Sequence, residues 1–355
     1  MRVLLTADPE FPVPPTLYGG IERIVAGLVE ELTSRGHTVG LMAHPDSTAP
    51  AAALFPWPGA RSQNRLDTIR NALALRRVVK AFRPDVLHSF SRVMYLLPLL
   101  RSQLPKVMSY QRDPSPRPIR LANRLARPGS LRFTGCSEHI ARLGRAAGGE
   151  WSAIPNFVDV DRFTYRQTVP ADAPLVFLSR VESIKGPDVA IEVARRAGRR
   201  LVIAGNHSAT PDQAEFWKTS IEPEIGRGGV EYVGPVNDEQ KNELLGGAAA
   251  LLVPIQWDEP FGIVFAEALA CGTPVISCPR GALPEIVTED ITGSLCRTSD
   301  ELAVAVGRVD RYDRAKCRQT AETRFSRVVV AEEYERYYRL ASPSTLSPIR
   351  PHAAK

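Results

Sequence analysis

Residues 254–274, PIQWDEPFGIVFAEALACGTP, join a strand to a helix through a short turn. An apolar run ends at Pro254, the turn holds Glu259-Pro260-Phe261-Gly262, and the residues that follow are typical of a helix. A strand, a turn and a helix in succession form the repeating unit of open α/β sheets, in which ligands bind at the carboxyl ends of the strands. The segment therefore predicts an α/β fold and the place of a ligand.

The same alternation of short apolar runs and amphipathic stretches continues along the chain in two series. In the first series we predict strands at 2–6, 39–43, 86–88, 106–109 and 132–136, and helices at 21–32, 66–82 and 138–147. In the second series we predict strands at 175–178, 201–204, 230–233, 249–254 and 274–277. Two doubly wound, Rossmann-like domains are the expected architecture.

The two series are separated by IPNFVDVDRFTYRQTVPADAP, residues 154–174, which we interpret as an interdomain linker because it is rich in proline and polar residues. We predict a first domain at 1–165 and a second at 172–325. A helix at 326–340 is expected to return to the first domain, and residues 341–355 have the composition of a disordered tail. At 355 residues and 44% hydrophobic content, the chain is long enough for two cores.

Composition limits the cellular setting and the partners. No run of about 20 apolar residues is present and the N-terminus MRVLLTADPE does not resemble a signal peptide, so we expect a cytoplasmic protein. The five cysteines form no CxxC pair, which favours reduced, buried thiols over a metal site. The chain carries a net charge of +6.

A run of arginines between Arg112 and Arg145 predicts a basic face on the first domain. No nucleic-acid-binding motif accompanies it, so nucleic acid is not an expected partner. Two interpretations stay open: a solvated surface without a ligand, and a peripheral contact with the inner face of the membrane or with an anionic acceptor.

The turn and helix after the strand at 249–254 predict a nucleotide-sugar site. The first N–H groups of the helix have no internal partners, so Phe261, Gly262 and Ile263 offer an anion site at its positive end. Glu259 and Glu267 lie eight residues apart, about 12 Å along a helix. One carboxylate would then bind sugar hydroxyls and the other ribose hydroxyls, with phosphate between them; ordinary exposed helix charges are the alternative.

This segment resembles the EPFG...E...A.G.PVI signature of the retaining family 4 glycosyltransferases, which have the GT-B fold of two domains facing a cleft. The resemblance extends from about residue 1 to residue 340 through landmarks that stand in family order. They are Tyr18-Gly19-Gly20-Ile21-Glu22-Arg23, Asp85-Val86-Leu87-His88, Ile154-Pro155-Asn156, Ser179-Arg180, Lys185-Gly186, Val233-Gly234 and Gly272-Thr273-Pro274.

The resemblance implies roles for further residues of the second domain. Arg180 and Lys185 would hold the donor diphosphate and stabilise the leaving group, and the backbone at Val233 and Gly234 would face the base. The position of Arg180 and Lys185 in the sequence supports this role, because both follow the strand at 175–178 at the edge of the sheet where ligands bind. A pair of surface charges is the alternative. Two such cations would also remove the need for a metal, so no metal and no cofactor beyond the nucleotide sugar are expected.

The first domain supplies four further candidates. Gly19 and Gly20 separate the first strand from the first helix, where backbone approaches phosphate in doubly wound sheets; a tight turn is the alternative. His88 ends a strand and is expected to bind a sugar hydroxyl or phosphate, although such a histidine is often structural. Gln111 stands where relatives usually have a histidine near the transferred sugar, and it cannot titrate.

The implied reaction is retaining transfer of a hexose from a UDP- or GDP-sugar to a hydroxyl of a glycan, glycolipid or small metabolite. The departing diphosphate would help to deprotonate the acceptor, so the enzyme would act by positioning and charge stabilisation. A nucleotide-sugar 2-epimerase and a donor-binding scaffold without transfer activity are the alternatives. Asp159-Val160-Asp161 matches a metal-binding Asp-x-Asp pattern, but its place in the linker favours a structural role.

Overall fold

The computed structural model describes residues 1–16 and 19–341, which form two units. Unit 1 comprises Met1–Ile154 together with the described residues from Val330 onward, and unit 2 comprises Pro155–Val329. Each unit contains one parallel sheet whose strands are joined by helical crossovers. The predicted fold class of two doubly wound α/β domains is confirmed.

The sheet of unit 1 has the order β3-β2-β1-β4-β5-β6-β7. Its strands are β1 (Arg2–Thr6), β2 (Thr38–Ala43), β3 (Ala53–Pro56), β4 (Val86–Ser89), β5 (Lys106–Tyr110), β6 (Leu131–Gly135) and β7 (Trp151–Ala153). Every pairing is parallel. The strand order reverses direction between β1 and β4, which is where ligands bind in such sheets.

Among the described residues, four α-helices lie between these strands: α1 (Gly20–Ser34), α2 (Arg65–Phe82), α3 (Pro116–Leu125) and α4 (Glu138–Arg145). Ile24, Val25, Leu28 and Leu32 of α1 are buried, as predicted, but burial is not confined to one face, because the consecutive residues 25–29 are all buried and span more than one helical turn. Helix α3 was not predicted, and it begins with Pro116, which is tolerated in a first turn because its missing N–H would have no helical partner.

The sheet of unit 2 has the order β10-β9-β8-β11-β12-β13, again entirely parallel. Its strands are β8 (Leu175–Leu178), β9 (Leu201–Ala204), β10 (Val230–Gly234), β11 (Ala250–Val253), β12 (Val275–Ser277) and β13 (Gly293–Leu295). The order reverses between β8 and β11, so the two loops that follow these strands meet at the ligand-binding edge.

The helices of unit 2 are α5 (Pro187–Arg196), α6 (Pro211–Phe216), α7 (Asp238–Gly247), α8 (Ile263–Ala270), α9 (Leu283–Ile286), α10 (Ser299–Val306) and α11 (Arg314–Arg324). The last helix, α12 (Arg327–Ala341), begins in unit 2 and packs from Val330 onward in unit 1. There the Glu335 carboxylate accepts hydrogen bonds from Arg35 at 2.8 Å and is 2.7 Å from Nε2 of His37. Helix α12 thus returns to the first domain as expected.

The boundary between the units differs from the predicted one, because residues 155–165 belong to unit 2. The Arg318 guanidinium donates to the carbonyl oxygens of Val160 and Phe163, and Val158 N–H donates to Phe325. These bonds attach the first part of the predicted linker to helix α11 and to Phe325, the residue that follows this helix. The predicted tail at 342–355 lies outside the described residues.

All five cysteines are free and buried, as the sequence predicts. Burial raises the pKa of the Cys271 and Cys317 thiols to about 12. No helix within the described residues has the length and apolar content needed to cross a membrane.

Candidate active site

The loops after β8 and β11 bring the predicted cation and carboxylate together at the ligand-binding edge of unit 2. Lys185 Nζ donates a hydrogen bond to Glu259 Oε2, and both residues are 8% exposed. Trp257 Nε1 donates to the same oxygen at 3.0 Å, and the lysine ammonium lies 4.8 Å from the centre of the indole ring. The sequence predicted Lys185 and Glu259 as separate ligand contacts, whereas the structure joins them in one buried ion pair.

Arg180 is the accessible cation of the same loop. Its side chain is 43% exposed, and its guanidinium donates to Glu182 at 2.7 Å. Glu182 is 8% exposed, so its carboxylate acts as a fixed support for the guanidinium. A partly exposed, oriented guanidinium is suited to bind a phosphate through two parallel hydrogen bonds.

Two glycines allow the loops to approach each other closely. Gly186 has a φ of +71°, and a Cβ there would collide with the carbonyl oxygen of Pro254 at the end of β11. Gly281 has a φ of +59°, and a Cβ there would collide with the backbone of Glu259. Side chains at either position would push the Lys185–Glu259 pair apart.

Helix α8 begins directly after this pair. Gly262 precedes the helix with a φ of +77° and no side-chain cap, and Phe261 beside it is buried at 3% exposure. The first-turn N–H groups and the helix dipole place partial positive charge at this end. The ion pair, Arg180 and the helix end therefore lie around one edge of the sheet, where an anionic ligand is stabilised.

Glu267 lies further along α8 and is paired with a lysine that the sequence did not suggest. Lys241 on α7 donates to Glu267 at 2.6 Å, and its ammonium lies 3.3 Å from Asp238. The Lys241 ammonium also lies 5.5 Å from the centre of the Phe163 ring. These contacts fix the orientation of the Glu267 carboxylate, which the sequence assigned to ribose hydroxyls.

The end of β10 carries an aromatic group that sequence reasoning missed. His207 stacks on Trp217 with ring centres 4.3 Å apart, and Tyr232 meets Trp217 edge-on at 4.7 Å. Val233 beside them is 40% exposed, and Gly234 has a φ of +75° with open space where a side chain would be. The predicted base contact at Val233 and Gly234 thus lies beside this aromatic group, with open space at Gly234.

His88 is placed differently from the expectation that it binds a sugar or phosphate. It is fully buried in unit 1, with Nδ1 2.6 Å from Tyr338 Oη and Nε2 2.6 Å from Ser109 Oγ. Burial lowers the pKa of its imidazole to about 3, so the ring is neutral. Both nitrogens are already bonded inside the protein, and we therefore correct His88 to a structural residue that connects β4, β5 and α12.

Gln111 follows β5 at the ligand-binding edge of unit 1, near a carboxyl group that the sequence did not single out. Gln111 Nε2 and Asp8 Oδ1 are buried without a hydrogen-bond partner among the described residues. Burial, and then repulsion from Glu10, raises the pKa of Asp8 to about 7, although Arg112 lies 3.7 Å away. These two atoms therefore have hydrogen-bonding capacity left for a ligand or for water at this edge of the sheet.

Gly19 and Gly20 lie at the start of α1, as predicted, but Tyr18 before them is outside the described residues. Gly19 has an extended backbone with a φ of 168°, and a Cβ there would come within 2.8 Å of the Glu22 carboxylate. Burial raises the pKa of Glu22. The absence of a side chain at Gly19 therefore leaves room for the buried Glu22 carboxylate.

Two sequence profiles match adjacent parts of the chain. The profile described as Glycosyltransferase Family 4 matches residues 18–162, and the profile described as Glycosyl transferases group 1 matches residues 166–322. Between them they reach both units. The chain belongs to glycosyltransferase family 4. The resemblance on which the site residues were assigned is thereby confirmed at the level of the family.

Curated relatives of this family 4 chain are named D-inositol 3-phosphate glycosyltransferase. Those from Xylanimonas cellulosilytica and Mycolicibacterium smegmatis are both 32% identical, over 186 and 200 residues. The matches cover 48% and 52% of this chain and 44% and 46% of the relatives. The matched region thus spans less than half the length of these relatives.

Solved structures match over nearly the whole chain. AviGT4, a glycosyltransferase involved in avilamycin A biosynthesis, is 27% identical with a TM-score of 0.71, covering 97% of this chain and 98% of its own. HepE from Anabaena, solved in complex with UDP-glucose, is 17% identical with a TM-score of 0.70, covering 95% and 99%. At that identity the likeness to HepE shows the shared GT-B fold alone.

The Asp-x-Asp pattern of this family 4 chain is used structurally at its first aspartate. Asp159 accepts from Arg162 at 2.9 Å and lies 3.4 Å from Arg327, so two cations already neutralise it. Within residues 1–16 and 19–341, no group of histidine, cysteine and acidic side chains has the arrangement of a metal site.

Proposed function

We propose that this family 4 chain is a retaining glycosyltransferase that moves a hexose from a UDP- or GDP-sugar to an acceptor hydroxyl. The observation that carries the proposal is the group at the switch point of unit 2: the Lys185–Glu259 pair, the exposed Arg180 guanidinium and the start of α8. Cation, carboxylate and helix end are the three elements that a nucleoside diphosphate sugar needs in one place.

The diphosphate would bind Arg180 and the first N–H groups of α8, with Lys185 beside the bond that breaks. As the glycosidic bond to phosphate breaks, negative charge grows on the diphosphate, and these groups stabilise it because they are already oriented. Arg180 and Lys185 would supply the positive charge that a metal ion could otherwise supply to the diphosphate, and on that ground we propose metal-independent transfer. Glu259 would accept hydrogen bonds from sugar hydroxyls, and Glu267 from the ribose hydroxyls.

Retention would follow from attack on the face of the sugar from which the diphosphate leaves. The acceptor hydroxyl loses its proton to a diphosphate oxygen, the new glycosidic bond forms at the anomeric carbon, and the nucleoside diphosphate departs with the proton. Gln111 cannot titrate, so its part in this step would be to donate a hydrogen bond through Nε2.

The acceptor is proposed to be a polyol that carries an anionic group. Asp8 and Gln111 offer unsatisfied atoms for hydroxyls, and Arg112 stands 3.7 Å from Asp8 to bind the charge. The name of the curated relatives, which act on D-inositol 3-phosphate, is consistent with that class. The whole-chain match to AviGT4 favours a second candidate, a hydroxyl of a small natural product.

A product assay tests the proposal. The protein is incubated with UDP- or GDP-hexoses in EDTA, together with an inositol phosphate or a small oligosaccharide, and products are identified by mass and by the anomeric coupling constant. We expect a glycoside with the anomeric configuration of the donor. An inverted glycoside would overturn retention, a C2-epimerised donor would identify an epimerase, and donor binding without any product would support the scaffold.

A further inference from the structure

Charge is distributed very unevenly along the chain. Residues 57–127 contain fifteen arginines and lysines, three aspartates and no glutamate, which gives a formal charge of +12. The whole chain carries only +6, so the remaining residues carry −6. A local excess of this size creates a strongly positive field that attracts anionic surfaces.

Most of this charge lies on one layer of unit 1, made of α2, the 3₁₀ segment Val93–Leu99 and α3. These three elements contribute Leu75, Leu96 and Ile119 to one buried cluster with Leu4, Leu87 and Met108 of the sheet. They therefore cover the same side of the sheet. We call them the α2–α3 layer.

The outer face of α2 is apolar as well as basic. Leu66, Ile69 and Leu73 are 64%, 57% and 46% exposed, and their spacing of three and four residues places them in one stripe on the helix. The basic residues of the same helix are Arg65, Arg70, Arg76, Arg77 and Lys80. The acidic residue of α2 is Asp67, which pairs with Arg70 at 3.4 Å.

The 3₁₀ segment and α3 also expose apolar side chains beside basic ones. Leu97 of the 3₁₀ segment and Leu121 of α3 are 42% and 43% exposed. Helix α3 contains no acidic residue, and its exposed side includes Arg117, Arg120 and Arg124. Scattered exposed leucines are ordinary on protein surfaces, but a helical stripe of them bordered by arginines on one layer is not.

We propose that the α2–α3 layer docks on the surface of an anionic lipid bilayer. The arginines would bind lipid phosphates, while the Leu66–Ile69–Leu73 stripe enters the boundary between headgroups and acyl chains. Charge complementarity selects this partner. A second copy of the chain would bring two strongly positive faces together, and nucleic acid would leave the apolar stripe uncovered.

The proposed membrane-binding face overlaps only the first half of the basic stretch that the sequence predicts between Arg112 and Arg145. In the stretch from Arg112 to Arg145, Arg132 pairs with Glu150 at 2.9 Å and Arg145 with Glu138, so the second half of that stretch is compensated by acids. The uncompensated charge and the apolar stripe lie in α2 and α3. The inference goes beyond the proposed transfer reaction, because it concerns a surface that contains none of the proposed donor residues.

Vesicle flotation tests the proposal on the full chain. We expect the protein to float with vesicles of phosphatidylcholine and phosphatidylglycerol and to remain unbound with phosphatidylcholine alone. The triple variant Leu66→Gln, Ile69→Gln, Leu73→Gln should lower partitioning at least about tenfold, because it removes the buried apolar area while keeping helix propensity and charge. The matched control Ile291→Gln, Val304→Gln changes exposed apolar residues of unit 2 and should bind like the wild type.

Charge is tested in the same assay. Arg76→Glu, Arg77→Glu should abolish flotation, whereas Arg227→Glu, Arg297→Glu makes the same change in net charge on exposed residues of unit 2 and should weaken it much less. Circular dichroism and thermal unfolding verify that each variant is folded. Equal flotation of the triple variant and wild type, or no wild-type binding to anionic vesicles, overturns the proposal. A wild-type dimer that the triple variant dissociates would instead identify the face as a self-association surface.

Discussion

Lys185 and Glu259 can be substituted singly or together. The three resulting variants separate the contribution of the ion pair to stability from its contribution to sugar transfer. Each of Lys185→Met and Glu259→Gln leaves a charged or strongly polar partner in a site that is about nine-tenths buried. Removing one partner of a buried ion pair lowers the free energy of unfolding, because the other charge stays buried without a partner. The slight exposure of both side chains makes this loss smaller. We expect a loss of about 2 kcal/mol in the free energy of unfolding for each single variant.

The double variant Lys185→Met, Glu259→Gln should recover much of that loss, because no unpaired charge remains. A cost of about 1 kcal/mol for the double variant corresponds to a coupling energy of about 3 kcal/mol. For a unit of this size, each single variant should lower the Tm of unit 2 by roughly 4 to 8 °C, and the double variant by about half of that or less. Sugar transfer should be lost in all three variants.

Calorimetric unfolding and a transfer assay measure the two effects on the same preparations. The matched control is the pair Arg195–Glu224 of the same unit, whose side chains are 50% and 32% exposed. Its double-mutant cycle should give a coupling of about 0.5 kcal/mol or less. Additive losses at Lys185 and Glu259, or a double variant that is stable and active, would refute the assignment of a preorganised pair.

Three further predictions concern single residues. Gly186→Ala should destabilise unit 2 and abolish donor binding because its Cβ collides with the carbonyl oxygen of Pro254. Gly226→Ala, which is also at positive φ but faces open space, should lower the free energy of unfolding by only about 1 kcal/mol and leave donor binding intact. Thermal unfolding and nucleotide titration compare the two variants, and equal effects would contradict the role of the Gly186 contact. The raised pKa of Asp8 makes folded unit 1 bind a proton more tightly than the unfolded chain, so the contribution of Asp8 to stability should fall as pH rises from about 4 to about 7. Asp8→Asn should make the unfolding free energy less dependent on pH across that range, and an unchanged dependence would contradict the raised pKa. His88→Asn should lower the Tm of unit 1 through the loss of its buried hydrogen bonds while the folded protein keeps its kcat; a normal Tm with a large loss of kcat would restore the chemical role.

Elements that contain a long apolar run were predicted closely from the sequence. β1, β8 and β9 begin and end at the predicted residues, because their three or four consecutive apolar residues are buried on both faces of a parallel sheet. β3, β7 and β13 were missed. They are edge strands of three or four residues, and the alternating burial of Ala53–Pro56 gives too short a pattern to recognise.

The candidate site was predictable in its parts but not in its contacts. The strand ends and the helix start placed Arg180, Lys185, Glu259 and Gly262 at one edge, because parallel strands end on the same side of a sheet. The hydrogen bond between Lys185 and Glu259 joins residues 74 positions apart, and no local pattern reports such a pairing. Trp257 and Lys241 were missed for the same reason.

For His88 the sequence predicted a ligand contact that the structure does not support. Its place at the end of β4 is the usual place of a ligand-binding residue, and the sequence cannot show that Tyr338, from a helix 250 residues later, reaches its Nδ1 atom. Asp8 carried no signal in the sequence beyond its position two residues after β1. Its significance comes from burial and from an unsatisfied oxygen, which depend on the packing of several loops.

Calorimetric titration measures nucleotide binding to the proposed donor site in unit 2. UDP, GDP, ADP and dTDP are titrated, each with and without EDTA, into the wild type and into Glu267→Ala, which removes the carboxylate that pairs with Lys241 at 2.6 Å. We expect UDP or GDP to bind the wild type equally with and without EDTA, and the variant to lose this binding. Failure of every nucleotide to bind, or binding that requires a divalent metal, would contradict a metal-independent donor site.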